Sequence, residues 1–478
     1  MCGGSSGTCA LDAATRQSST PTSASAGADG PAAPTVTVVG AGPAGAVTTA
    51  VLLIRGATVH WVDEAFAGAG GLSDWKGVPA NTKVNLLTPC LDGLPGISEW
   101  KGIGDCDVLW IALSNLSRPP SGWSLSVNGD PAPNGWCRLD ELAAVIAALA
   151  DVLRARWGPG NTSHSRLRCH TARAGRLNYN SASGKWEVEL SKTPFTGACR
   201  SLVVSDSLVL ATGGAIKAPP AEIVVPGVRV LSQDTALVPS ALASAGLDPT
   251  QAVAVVGNSH SAFVIIENLY SIGFRNVLMF ARRPLRFAVF DEETNFYTGN
   301  AFDGLKGRSA DFAMRHILGL KSRTSPAKAN ALASASFSAV GQPTSNGNGA
   351  APWLRCLHLN ELPAWLSSGR VAYVTYAVGF DRRALPPITV DGETCEVPAG
   401  YEGYDVAGSG QLKVGPSASA KPLPSAFGTG LAFPHIDPST PRKYAAASIP
   451  LFIQRATAIA TQLGLDGSHV PVYHQSRL

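Results

Sequence analysis

Val36-Thr37-Val38-Val39-Gly40-Ala41-Gly42-Pro43-Ala44-Gly45 decides how this chain is read. A β-branched run enters a GxGxxG turn, and an Ala/Val/Leu-rich stretch with helical character leaves it. Each glycine has its own task. Gly40 permits the tight turn, Gly42 lets the backbone approach a pyrophosphate, and Gly45 lets helix and strand pack closely. The helix N-terminus then offers free N–H groups to phosphate oxygens. A second strand, Thr58 to Val62, is followed by Asp63 and Glu64. Asp63 lies 23 residues after Gly40, in register for a ribose hydroxyl.

The pattern returns once. Val253-Ala254-Val255-Val256-Gly257-Asn258-Ser259-His260-Ser261-Ala262 is again an apolar strand and a small-residue turn, with helical sequence from Phe263 to Tyr270. A strand is expected at Asn276 to Phe280. No acid closes it; the chain reads Arg282-Arg283 instead. A guanidinium binds phosphate in a two-pronged way, so this ending suits a 2′-phosphate and favours NADPH over NADH. Two such turns imply two dinucleotides facing each other, the arrangement that passes electrons from a nicotinamide to a flavin. His260, inside the turn, is read as packing or bonding locally, and His60 as a satisfied buried histidine.

Outward from the turns, the 478 residues exceed one ordinary domain. Hydrophobic residues make up 45%, enough for a sizeable core. Charged residues make up 15% and the net charge is +4, with no dense Lys/Arg run, so nothing points to nucleic acid. No apolar run reaches the length of a membrane span. Nine scattered cysteines form no CxxC pair, which excludes a closely spaced redox disulfide and favours reduced thiols. His164, Cys169 and His170 come nearest to a ligand cluster and are read as holding no metal.

The fold expected is α/β: two Rossmann-like three-layer domains, with the second inserted into the first, and a small β-meander. Residues 1–34 are Ser/Ala/Gly/Pro/Thr-rich and read as a disordered tail. Residues 35–215 form the first part of one dinucleotide domain, 216–372 the inserted domain, and 373–478 the remainder with a C-terminal cap. Leu139 to Trp157 has strong helical periodicity. Gly184 to Leu190 and Leu202 to Leu210 alternate like meander strands. Residues 321–351 read as a flexible insert, Arg370 to Val378 as a strand, and Arg442 to Leu463 as a helix interrupted near Pro450.

These motifs resemble the two-dinucleotide-binding-domain flavoproteins of the pyridine nucleotide-disulfide oxidoreductase superfamily, in their flavin-containing monooxygenase-like branch. Gly70-Gly71-Leu72-Ser73-Asp74-Trp75 resembles that branch's GGxW segment, with two extra residues before Trp75. Ala211-Thr212-Gly213-Gly214 resembles its middle ATG motif, and Tyr376-Ala377-Val378-Gly379-Phe380 its late ATG(Y/F) motif. Gly257-Asn258-Ser259-His260-Ser261-Ala262 is similar to its GxSxS(G/A) NADPH turn. The resemblance implies FAD bound by Gly40, Gly42, Gly45, Asp63, Gly71, Trp75, Thr212, Gly213 and Gly430. It implies NADPH bound by Gly257, Ser259, Ser261, Arg282 and Arg283. Asn81 matches an Asn that lies between flavin and nicotinamide there, which makes it the candidate catalytic residue.

The activity so implied is insertion of one oxygen atom of O2 into a small molecule, at N or S or a carbonyl. The protein then supplies position and water exclusion while the cofactor supplies the chemistry. The branch's FxGxxxHxxx(Y/F) fingerprint is missing: Val225 to Asp234 contains no His. A NAD(P)H-dependent flavoprotein reductase without oxygen insertion therefore stands as the alternative, and a silent FAD-binding partner as a third reading. Substrate-lining residues are expected near 95–135 and 284–320. The last three residues, Ser476-Arg477-Leu478, are a variant of the Ser-Lys-Leu peroxisomal address, with a peroxisomal import receptor as partner and a cytoplasmic location otherwise.

Overall fold

A computed structural model describes residues 32–66, 69–83, 109, 112, 136–161, 165–191, 200–291, 296–298, 304–320, 326–338, 353–399, 404, 406–416, 419–436, 445–446 and 448–465. Residues 1–31 of the N-terminal tail, His164 and the C-terminal tripeptide lie outside them, as do most of residues 95–135.

The chain enters through β1 (Thr35–Val39), α1 (Pro43–Ile54) and β2 (Thr58–Asp63). α1 begins with Pro43 in its first turn, where the missing N–H costs nothing. Its interior is Ala, Val, Thr, Leu and Ile, buried on every side. A ribbon of Pro79–Lys83 and Trp136–Arg138 then leads into α2 (Leu139–Trp157). The Glu141 carboxylate, reaching back to the Arg138 N–H at 2.8 Å, fixes the start of α2. β3 (Leu167–Thr171) closes this side of the sheet.

The meander follows as β4 (Arg173–Asn180), β5 (Lys185–Ser191) and β6 (Arg200–Ser205). The alternating run Leu202 to Leu210, expected as one strand, is two. It breaks at Asp206, whose carboxylate accepts from Thr35 N–H at 2.7 Å and pairs with Lys185. β7 (Ser207–Leu210) thereby leaves the meander and lies parallel to β1, with Val39 opposite Leu210. β8 (Gly214–Ile216) carries the chain across to the second unit.

That unit comprises β9 (Arg229–Leu231), α3 (Gln233–Leu237), β10 (Val253–Val256), α4 (His260–Ser271) and β11 (Val277–Ala281). It continues through α5 (Gly307–His316), α6 (Pro326–Ser338), β12 (Leu354–His358), α7 (Leu362–Ser367) and β13 (Tyr373–Tyr376). Two expectations are corrected here. Residues 326–338 form a helix within the stretch read as a flexible insert. Their alanine content favours helix, Ala329 and Ala333 are buried in the second core, and Asn330 exchanges hydrogen bonds with the Phe287 backbone at 2.8 and 3.1 Å. The inserted unit also reaches past residue 372, because Tyr373–Tyr376 is a central strand of its sheet.

β14 (Phe380–Arg382) returns antiparallel to β8, so two strands join the units. β15 (Ile388–Val390) and β16 (Glu393–Cys395) extend the meander. β17 (Gln411–Val414) and β18 (Lys421–Gly428) complete the first sheet. α8 (Ile449–Gln462) is shorter than expected: Pro450 occupies its first turn and starts the helix, and Ala445–Ala446 pairs with His435–Ile436.

The first sheet runs β17-β18-β7-β1-β2-β3, parallel except at β17–β18. α1, α2 and α8 share a core against one face; the meander β16-β15-β4-β5-β6 covers the other. The second sheet, β9-β13-β10-β11-β12, is all parallel, with α3, α4, α5 and α6 on one face and α7 on the other. Both units are Rossmann-like and three-layered, the first with a β-sheet as one outer layer.

Candidate functional site

The two turns are built alike, bond for bond. Gly40 N–H donates to Val62 O at 2.8 Å, and Gly257 N–H donates to Phe280 O at 2.8 Å. Ala211 N–H donates to Val39 O at 2.8 Å, and Ala377 N–H to Val256 O at 2.7 Å. Gly40 has φ +110° and Gly257 φ +123°; a Cβ on either would lie 2.3 Å from a carbonyl oxygen, of Ala211 and Ala377 respectively. Only glycine fits. A Cβ on Gly45 would lie 1.9 Å from Gly40 O, the close helix–strand approach read from the sequence.

Each turn ends at a helix with no side-chain cap. Gly42 begins α1 and Ser259 begins α4 without accepting a capping bond. Both helices therefore present uncapped N–H groups, which suits an anionic ligand. The space around Gly42 is open, with Ala69 O at 4.0 Å from a built Cβ the nearest atom. Gly70 lies against Gly42, while Gly71 is exposed and clear of neighbours. This cradle fits a pyrophosphate.

Asp63 has a further task that its spacing did not reveal. One carboxylate oxygen accepts from Ala41 N–H at 2.7 Å; the other accepts from Ala65 and Phe66 N–H at 3.0 and 2.9 Å. It thus holds the glycine turn from below. A carboxylate accepts about four bonds, so room remains for a ribose hydroxyl. Trp61 supports the same turn by donating to Gly40 O at 2.9 Å.

Around the first turn, Thr212 and Gly213 follow the C-terminal end of β7, and Gly430 approaches Ala44 of α1. Thr429 N–H donates to Leu210 O at 2.9 Å. The hydroxyls of Thr212 and Thr429 are buried without a hydrogen-bond partner among the described residues. Thr429 was not expected; its only signal is its place beside Gly430. Asn81 lies on the ribbon strand Pro79–Lys83, and its side chain is outside the described residues.

Trp75 reaches the second unit. Its indole N–H donates to Asp234 Oδ1 at 2.9 Å, and its ring lies 5.4 Å from that of Phe380 on β14. It bridges the two units. At the second turn, Ser261 lies in the first turn of α4, and Arg282 and Arg283 follow β11 as exposed side chains. The Asn258 amide donates to Arg283 O at 2.7 Å and so ties the turn to the two arginines.

His260 bonds not within its own turn but to the backbone of Lys306, 46 residues on. Its Nε2 accepts from Lys306 N–H at 2.9 Å, and burial, helped by the Lys306 charge, lowers its pKa to about 3. It is neutral, and the imidazole nitrogen facing Lys306 carries no proton. His60 pairs with His170 at 3.0 Å with the rings stacked; burial first, then His170 and Arg168, lowers His60 to about 4. No cluster of three metal-ligating side chains occurs among the described residues.

No protein-family model matches the chain. It is 25% identical over 423 residues to monooxygenase AgnR1 of Paecilomyces divaricatus, spanning 85% of this chain and 92% of that one. Among solved structures, it is similar to an ornithine N-hydroxylase of Kutzneria sp. 744 (13% identity, TM-score 0.47, 90% of this chain and 99% of that one). It is also similar to a mutant flavin monooxygenase of Stenotrophomonas maltophilia (16%, 0.45, 90% and 98%) and a thioredoxin reductase of Lactococcus lactis (11%, 0.44, 91% and 98%).

Proposed function

We propose that this chain is an FAD- and NADPH-dependent monooxygenase that places one oxygen atom of O2 on a nitrogen or sulfur of a small molecule. The observation that carries the reading is the pair of matching turns, one with an acid after its second strand and one with two arginines there. The likeness to a monooxygenase over 85% of the chain supports it. When bound, the two cofactors supply hydride transfer and activation of O2.

The chain's own residues do the rest. The uncapped start of α1, with Gly40, Gly42 and Gly45, holds the FAD pyrophosphate, and Asp63 holds its ribose. Gly71, Thr212, Gly213 and Gly430 flank the same cofactor, with the orphan hydroxyl of Thr212 as a donor. Gly257, Ser259 and Ser261 hold the NADPH pyrophosphate. Arg282 and Arg283 clamp its 2′-phosphate in the two-pronged geometry that favours guanidinium. Asn81, on the ribbon strand, is the candidate that would steady the reacting oxygen on the bound flavin. Trp75 sets the relation of the units through Asp234 and Phe380.

The test is product analysis under 18O2 with NADPH and a panel of amines and sulfides. A product carrying one heavy oxygen atom supports the proposal. NADPH consumption that appears entirely as hydrogen peroxide across the panel supports the reductase reading instead, which the His-free segment Val225 to Asp234 favours. The terminal Ser476-Arg477-Leu478 adds a second assignment: import into peroxisomes through a receptor that reads this tripeptide. A fluorescent fusion that stays diffuse with this C-terminus free refutes that assignment.

A further inference from the structure

Strand order gives the direction in which a dinucleotide lies along the first sheet, granted the FAD and monooxygenase reading above. The acid that takes its ribose ends β2, and the pyrophosphate turn follows β1. The sheet runs β17-β18-β7-β1-β2-β3. The adenosine end is therefore over β2, and the ring end points the other way, past the carboxyl ends of β7 and β18. Open parallel sheets bind ligands along this carboxyl edge.

At the carboxyl end of β18 the chain reads Gly428-Thr429-Gly430-Leu431-Ala432-Phe433. Thr429 N–H holds this segment to Leu210 O of β7 at 2.9 Å. A Cβ on Gly430 would lie 2.9 Å from Ala44 Cβ, in the first turn of α1. Every residue from Ala426 to Pro434 is buried except Leu431, which turns outward and is 44% exposed. A leucine thus faces open space at the ring end of the cradle.

Leu431 has apolar company there. Gly214, at the start of β8, has no side chain; a Cβ on it would lie 3.5 Å from Leu431 Cβ and 3.4 Å from Phe380 Cβ. The bare glycine is the floor of a notch between these two side chains. Trp75 extends the apolar wall, its ring 5.4 Å from that of Phe380, and both rings are half-buried. The neighbouring charges are engaged elsewhere: Asp381 pairs with Lys217 at 3.5 Å, and the Arg382 guanidinium lies 5.1 Å from the Tyr404 ring. Burial of apolar surface is favourable in proportion to the area removed from water, and small-molecule sites are lined mostly by such side chains. We propose that Leu431 and Phe380 receive an apolar group of the substrate, so that the nitrogen or sulfur to be oxygenated carries an aryl or alkyl substituent rather than a charged chain. Leu431 is the specificity-determining residue of the pair.

The experiment compares methyl phenyl sulfide with dimethyl sulfide as substrates of the FAD-loaded protein, with NADPH and O2, read as kcat/KM for sulfoxide formation. The two share the reacting sulfur and differ in apolar body. Wild type is expected to prefer the phenyl compound by at least about tenfold. Leu431→Asn, close in shape but polar, is expected to lower that ratio about tenfold, and Leu431→Met, which keeps the apolar surface, to retain it. A ratio of two substrates in one protein cancels any loss of flavin or of folded protein. A preference that Leu431→Asn leaves intact overturns the proposal. So does a wild-type protein that treats the two sulfides alike, a result that needs no variant to fold. If wild type oxygenates neither sulfide, the monooxygenase reading itself fails, and this proposal with it.

Discussion

His260 links the second nucleotide turn to pH. Its imidazole is packed among neighbours in a half-buried residue, its Nε2 accepts from Lys306 N–H, and desolvation lowers its pKa from 6.5 to about 3. A histidine whose folded pKa is depressed contributes stability that is present in full above the unfolded value. That stability is lost as pH falls from about 6.5 towards about 3, because the unfolded chain binds the proton first. At about pH 5 the unfolded imidazole is almost wholly protonated and the folded one almost wholly neutral, so the cost is about 2 kcal/mol relative to about pH 7.5. For a unit of this size that is a drop of about 4–8 °C in melting temperature. His260→Gln keeps an acceptor for Lys306 N–H and removes the titration. Differential scanning calorimetry of both proteins at the two pH values is the assay. The second-unit transition should fall about 4–8 °C further in wild type than in His260→Gln. The His60–His170 pair titrates identically in both proteins and cancels. Parallel pH dependences would refute the neutral His260.

Other expectations follow from single side chains. Gly42→Trp fills the open space at the start of α1 and should give colourless protein, read by flavin absorbance; a yellow variant removes the FAD assignment. Arg282→Ala with Arg283→Ala should raise the KM for NADPH by at least about tenfold and leave that for NADH nearly unchanged, as charge-assisted bonds of about 1.5–3 kcal/mol are lost. Equal effects on both nucleotides would refute the clamp. Trp75→Phe keeps the ring beside Phe380 but loses the donor to Asp234, at a cost of about 0.5–1.5 kcal/mol. A double-mutant cycle with Asp234→Ala should show coupling of that order, and additive effects would show that the bridge carries no energy.

Elements whose residues all answer to one neighbour were legible in the sequence. α2 follows its 3.6-residue periodicity from Leu139 to Trp157, and both glycine turns follow their spacing. Elements set by distant partners were not. Nothing in the alternation of Leu202 to Leu210 shows that Asp206 bonds to Thr35, far away in the chain, and redirects the strand. Residues 326–338 lack an amphipathic stripe, yet Ala329 and Ala333 find a core and Asn330 finds Phe287. The motif that singles out Trp75 does not show that its indole N–H reaches Asp234 of the other unit.

The central claim is that the first turn holds FAD and the second delivers NADPH to it. Its most direct test is to mix the purified protein with NADPH or NADH without oxygen and follow the flavin absorbance. The account predicts a yellow protein whose colour bleaches rapidly with NADPH and much more slowly with NADH. A protein without flavin, or a bound flavin that NADPH leaves oxidised, would contradict it.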